Sequence, residues 1–397
     1  LKIVVRPLKD FTDVTLDLND FCGSNGQLFV RDGVGVAGRG IAARVPSSDA
    51  RTLLESLDID GPRDEHGALP FLIGALPFDR SLTGDFVLPQ QWISKTHDGH
   101  AWFGTVEGTT PDLAPAERAP TSSNSYRIKP GVAVDQYLSA VAEIRDAVRR
   151  GEITKAVIAR DVLVEATDPI DVHGLLLRLK ASFGSSYRYS YDGLIGASPE
   201  LLVEIRGAEI FSHPLAGTTP RTGDPATDEA LAADLLASAK NQIEHRVVID
   251  MVHDTLLPHC SYLDWEPEPT VVKVANVQHL GTRLQGALSS PRLHVLEAAH
   301  MLSPTPALGG FPRDEALALI ARHEGLDRGR YGGAIGWFDT QGDGAFAVTI
   351  RCAELSADRR NARLFAGGGI VADSEPNAEL AETQAKFQAM LAAIIRP

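Results

Sequence analysis

Two periods of apolar residues run through the chain. In VDQYLSAVAEIRDAVRRGE, residues 134–152, apolar positions recur every three to four residues up to a glycine, which predicts a helix ending at Gly151. The same spacing predicts a long helix over 227–257 and helices over 292–303 and 313–326. A last helix is expected to carry AELAETQAKF, 378–387, after a glycine turn. Short apolar runs bounded by Gly, Pro and Asp read as strands: LKIVV, QLFV and AWFGTV before residue 107, then KAVIARDVLVEA (155–166), two runs in 187–218, and 271–288. YGGAIGWFD, GAFAVTIRCAEL and ARLFAGGGIV stand at hairpin spacing, with QGDG as a turn. The Pro-, Ser- and Thr-rich stretch 109–132 reads as a surface connection. Strands cluster and helices cluster, so the pattern points to an α+β fold with antiparallel sheets, not a doubly wound parallel one.

Length and charge narrow the reading. At 397 residues the chain suits one large domain or two. Its 38 basic and 52 acidic residues give a net charge of −14, which repels nucleic acid and anionic membranes. A small anionic substrate then needs a local positive site or a metal. Cys22, Cys260 and Cys352 are odd in number and lack metal-ligand spacing, which points to a reducing, cytoplasmic setting. No apolar run approaches a membrane span, and LKIVVRPLKDF does not read as a signal peptide.

Several polar residues stand where the pattern turns inward. Glu379, Glu382 and Lys386 are at i, i+3 and i+7 of the last helix, on one face that continues into Phe387, Met390 and Ile394. From this segment alone, a solvated stripe with a Glu382–Lys386 pair worth about 0.3–0.5 kcal/mol is the favoured plain reading. Glu244 precedes Val248 and Met251 by four and seven positions, which puts a carboxylate on the apolar stripe of its helix, with Asn241 one turn earlier. A surface pair with Lys240 is the plain alternative. Two inward carboxylates from different helices suit Mg²⁺, which keeps several waters and wants few protein ligands, and Glu379 and Asn241 are placed to hold those waters. The three glycines 367–369 alone are a weak phosphate signal, because Glu375, Glu379 and Glu382 would repel phosphate. A tight loop whose backbone N–H groups reach a carboxylate fits them better. Lys155 opens a strand, Glu200 follows a proline at a strand's start, and Arg351 is expected on a buried strand between Val348, Ile350 and Cys352, where it needs an anionic partner.

Taken in order, KAVIAR, ASPELL, PLAGTTPR, KNQIEHRVVIDMV, VQHLGT, LSPTPALGGFP, YGGAIGW, TIRCAEL, FAGGGIV and AELAETQAKF resemble the chorismate-utilising enzyme family over residues 130–397. Residues 1–130 correspond to its variable part. The resemblance implies a single large α+β domain, residues 1–397, with a Mg²⁺ site. By position it assigns Glu244 and Glu382 to the metal, Glu379 through water, and Asn241 to an outer shell where the family is often acidic. Tyr331 and Arg351 match residues that hold the substrate's enolpyruvyl carboxylate, with Gly367 and Gly369 at the same end. Gly217, Thr218 and Lys386 fall near the ring carboxylate, and His279 beside the ring. Lys155 looks like the base for water attack found in the isochorismate- and salicylate-forming members. Ala307, in LSPTPALGGFP, matches the isochorismate-forming pattern. The implied reaction is chorismate to isochorismate: Lys155, neutral by virtue of desolvation or nearby cations, deprotonates water attacking C2, and Glu200, protonated by burial, releases the C4 hydroxyl. Salicylate formation, amine transfer with a glutaminase partner, and a non-enzymatic metal-dependent binder of dicarboxylates are the rivals. The resemblance implies no glutaminase subunit, and a monomer is the default, because nothing reads as an obligate interface.

Overall fold

The computed structural model describes residues 1–62, 67–117, 124–274 and 276–396, except for the side chain of Lys240. Among these residues the strands form three sheets, of thirteen, nine and three strands. All pairings are antiparallel except Lys2–Pro7 with Asp58–Asp60, which is parallel and corrects the expectation of purely antiparallel sheets.

Both large sheets run through the two parts of the chain. Gln27–Arg31 pairs with Tyr187–Tyr191 in one sheet. Phe71–Leu76 pairs with Ala334–Asp339 in the other. Side chains of both sheets meet in one apolar cluster that includes Phe29, Trp92 and Tyr189 from the larger and Phe71, Phe86, Phe338 and Phe346 from the smaller. Each buried ring contributes about 1.5–3 kcal/mol, so removing either part would expose a large apolar face.

The pairing that positions the site is between Lys155–Ala166 and Asn361–Ile370, with Val157 opposite Gly369 and Ala159 opposite Gly367. The first of these strands is buried over its first eight residues, the charged Lys155, Arg160 and Asp161 included. The predicted helix Val134–Arg149 packs beside it through Tyr137, Ala140, Val141, Ile144 and Ala147, and Gly151 follows it at φ 75°.

Four expectations differ from the structure. The long helix is two helices, Pro225–Ala237 and Ala239–Leu256, broken at Ser238. The Ser238 hydroxyl accepts from the Asn241 N–H at 3.3 Å and from its Nδ2 at 2.9 Å, so a local cap outcompetes helix continuation. The stretch 109–132 contains the strand Tyr126–Pro130, paired with Lys155–Ala166; residues 118–123 lie outside the described residues. Glycines 367–369 are inside a ten-residue strand, not in a turn, and the last helix begins at Pro376. Arg351 is on no strand: it links Gly344–Val348 to Cys352–Leu355 at φ 53°. Two short helices, Leu18–Cys22 and Ala50–Glu55, interrupt the strand-rich first part.

Candidate active site

Each of the fifteen residues singled out above lines one cavity of about 260 Å³. Five structural units supply twelve of them, and Ala307, Tyr331 and Arg351 come from connections between elements. Lys155, Gly367 and Gly369 come from the paired strands of the large sheet. Glu200 stands at the entrance to Leu201–Arg206 of the nine-stranded sheet. Gly217, Thr218 and His279 come from Leu215–Pro220 and Val277–Gly281, neighbours in the small sheet. Asn241 and Glu244 face in from Ala239–Leu256. Glu379, Glu382 and Lys386 face in from Pro376–Ile395.

The glycines are required by proximity, not by backbone conformation. A Cβ on Gly369 would lie 2.5 Å from Lys155 Cε, and one on Gly368 would lie 2.7 Å from Glu379 Oε2. The flat glycine edge thus lets the lysine and the acidic helix close on one volume.

Charges in the cavity are paired across elements. Lys155 Nζ lies 2.5 Å from Glu244 Oε1, and the lysine side chain is only 5% exposed. The alternative pairing of Glu244 with Lys240 falls on a side chain outside the described residues. Lys386 Nζ bridges Glu382 Oε1 at 2.6 Å and the Gly367 carbonyl at 2.7 Å. The helix-surface pair and the inward-facing reading are therefore both true of these residues. Glu379 Oε1 accepts from the Ser374 hydroxyl at 2.7 Å.

Glu200 is different. Its residue is 2% exposed, and Oε1 has no hydrogen-bond partner among the described residues. Burial pushes its carboxyl up to about 8, against a smaller opposing pull from the Leu215 backbone and the Lys155 charge. It therefore holds a proton at neutral pH, as a general acid must.

Arg351 and His279 form a second polar unit. Arg351 Nη2 lies 3.1 Å from His279 Nε2, and Nη1 has no partner among the described residues. A guanidinium only donates, so Nε2 is the acceptor and Nδ1 carries the proton. Nδ1 donates to the Gly217 carbonyl at 3.1 Å. Gly217 presents that carbonyl from a bulge, at φ 75°. Burial, followed by the charges of Arg351 and Lys386, lowers the His279 pKa to about 3, so the ring is neutral. Burial also lowers the pKa of Arg351. A buried guanidinium with a spare donor is suited to a carboxylate. Tyr331, 3% exposed, stacks on Phe365 with ring centroids 5.1 Å apart.

No group of three His, Cys, Asp or Glu side chains converges on a metal-sized point among the described residues. The donor set of Glu244, Glu382 and Glu379 with Asn241 is all oxygen and spread over two helices, which fits a hard cation that retains water.

The apolar wall of Val157, Leu215, Leu308, Ile350 and Phe365 went unnoticed in the sequence. Val157 was within reach, because strand alternation puts it on the face of Lys155. Also missed were Glu324 and Arg328, just beyond the helix Arg313–His323. Their i,i+4 spacing looks like an exposed pair, yet their side chains are 1% and 2% exposed.

A family model described as chorismate binding enzyme matches residues 65–395. Isochorismate synthase DhbC of Bacillus subtilis is 35% identical over 373 residues, 90% of each chain. The vibriobactin-specific isochorismate synthase of Vibrio cholerae is 34% identical over 367 residues, 91% of this chain and 88% of that one. The solved structure of MenF, the menaquinone-specific isochorismate synthase of Escherichia coli, matches with a TM-score of 0.84 at 25% identity, covering 99% of this chain and 94% of that one.

Proposed function

The chain belongs to the chorismate binding enzyme family, and from that premise we propose that it is a Mg²⁺-dependent isochorismate synthase. The observation that carries the reading is the presence in one cavity of a buried lysine and a buried, protonated glutamic acid whose Oε1 has no partner among the described residues, supplied by different sheets.

Lys155 accepts a proton from a water attacking C2 of the ring. Glu200 gives its proton to the C4 hydroxyl, which leaves as water while the ring double bonds shift. One water enters and one leaves, so the reaction is an isomerisation. Arg351, with its spare Nη1 donor, and Tyr331 hold the enolpyruvyl carboxylate. Lys386, Gly217 and Thr218 hold the ring carboxylate end, and neutral His279 packs beside the ring without adding charge. Ala307 leaves room at the ring's edge.

Charge balance supports the cation. As the base Lys155 must be neutral, so the cavity holds Arg351 and Lys386 against Glu244, Glu379 and Glu382, one net negative charge. A substrate with two carboxylates raises this to three negative charges in a buried volume, which is costly unless balanced. Glu244 and Glu382 would hold Mg²⁺, with Glu379 through water and Asn241 outside it. When bound, the ion supplies Lewis-acid chemistry, neutralising the ring carboxylate and drawing electron density from the ring.

We read residues 1–397 as one domain, since both large sheets draw strands from the two parts of the chain. The reading includes a monomer that needs no glutaminase subunit and a product that enters siderophore assembly, on the likeness to the vibriobactin-specific enzyme. It also includes a cytoplasmic setting. In support, the three cysteines are free, and no helix among the described residues is long and apolar enough to cross a membrane. Incubation with chorismate, with and without Mg²⁺, tests the function. Isochorismate forms with the ion, and chelation stops it. Salicylate with pyruvate, or no product, refutes the proposal.

A further inference from the structure

The buried Glu324–Arg328 pair is not itself in the cavity wall. Arg328 Nε and Nη2 donate to the two oxygens of Glu324 at 2.7 and 2.6 Å. Nη2 also donates to the Val157 carbonyl at 2.7 Å, and Nη1 to the Leu308 carbonyl at 2.9 Å. Glu324 Oε2 accepts from the Ala159 N–H at 2.7 Å. The guanidinium lies over the Phe78 ring, 4.1 Å from its centroid. A buried ion pair is weak evidence of stability, because well-packed apolar residues often do as well. What this pair does hold is specific. Val157 and Leu308 both line the cavity, the first two residues from Lys155 and the second next to Ala307. Arg328 is thus a rigid fork joining the strand of the base to the loop at the ring's edge.

We propose that Arg328, oriented by Glu324, is a positioning residue that sets the distance between Lys155 and the substrate ring held against Ala307 and Leu308. The proposal rests on the reading that this cavity works on chorismate. Lys at position 328 keeps the charge and the partner Glu324 but cannot reach both carbonyls in a planar fork. A displacement of about 1 Å at a reacting group costs on the order of 10²-fold in rate. A purely structural role would lower Tm or yield and leave turnover per folded molecule alone.

The test compares wild type, Arg328→Lys and the neutral double variant Glu324→Gln/Arg328→Met. Chorismate consumption and product identity are followed, with kcat normalised to folded protein by near-ultraviolet circular dichroism. In both variants kcat is expected to fall about 10- to 100-fold while KM stays within about threefold, the signature of a transition-state loss. The alkaline limb of the rate profile is expected not to move, because neither residue touches Glu200. If either folded variant retains kcat within about twofold of wild type, or loses only KM, the positioning role is overturned. A wild type that consumes chorismate without forming isochorismate refutes the proposed reaction instead, while the comparison of consumption rates still decides the role of Arg328. A wild type that consumes none overturns both.

Discussion

The carboxyl of Glu200, raised to about 8 by burial, keeps its proton over a range in which the unfolded chain, at its ordinary value of 4.5, has lost it. The folded state therefore binds more protons between those two values, and stability falls as pH rises from about 4.5 to about 8. Below that window both states are protonated and the cost vanishes. Glu200→Gln keeps the shape without the titration, so it is expected to stabilise the protein on the order of 3 kcal/mol at pH 7 and by little at pH 4. Thermal melts at the two pH values read this directly. The same variant is expected to lose about 10²- to 10⁴-fold in kcat, and wild-type turnover to decline as pH passes about 8. Lys155→Ala is expected to lose a similar factor, with chorismate affinity by calorimetry changed less than about threefold. Near-native turnover in that variant would remove Lys155 from the role of base.

Where strand Asn361–Ile370 passes Lys155, the element's composition serves the site more than the sheet. Its glycines cost β-propensity, yet the pairing with Lys155–Ala166 continues through them. Gly369→Ala adds a methyl group 2.5 Å from Lys155 Cε and 3.0 Å from Nζ, both at the movable end of the side chain. The fold is expected to survive, with Tm lowered by a few degrees, while kcat falls more than about tenfold because the lysine tip is displaced. Steady-state kinetics beside a melting curve separates the two effects. At Ser238 the element is set by a hydroxyl: Ser238→Ala removes the cap of the helix carrying Asn241 and Glu244 and is expected to cost about 1 kcal/mol.

For the molecule as a whole, the first 130 residues supply strands to both large sheets. Strands Gln27–Arg31 and Phe71–Leu76 fill positions inside the sheets, not at detachable edges. A chain beginning at residue 124 is therefore expected to be insoluble or to lack a cooperative melt, because it exposes unpaired strand edges and the inter-sheet apolar face. A soluble, cooperatively melting, active product from that truncation would contradict this view.

The distribution of apolar residues along the sequence was enough to indicate the fold class, a helix from 134 up to the glycine at 151, a last helix carrying 378–387, and the strand at 155. Local periodicity reports which face of an element is buried, and that information is present in each segment alone. The motifs, read in order, also gathered fifteen of the residues that line the cavity. The partners of those residues were not legible. That Glu244 meets Lys155, that Arg351 sits at positive φ between strands, and that an apparent surface pair at 324 and 328 is buried all depend on contacts between segments far apart in the chain. Glu200 shows the reason most plainly. Its residue type is ordinary, and only burial in the folded chain, withdrawing water from its carboxyl, gives it a proton to donate.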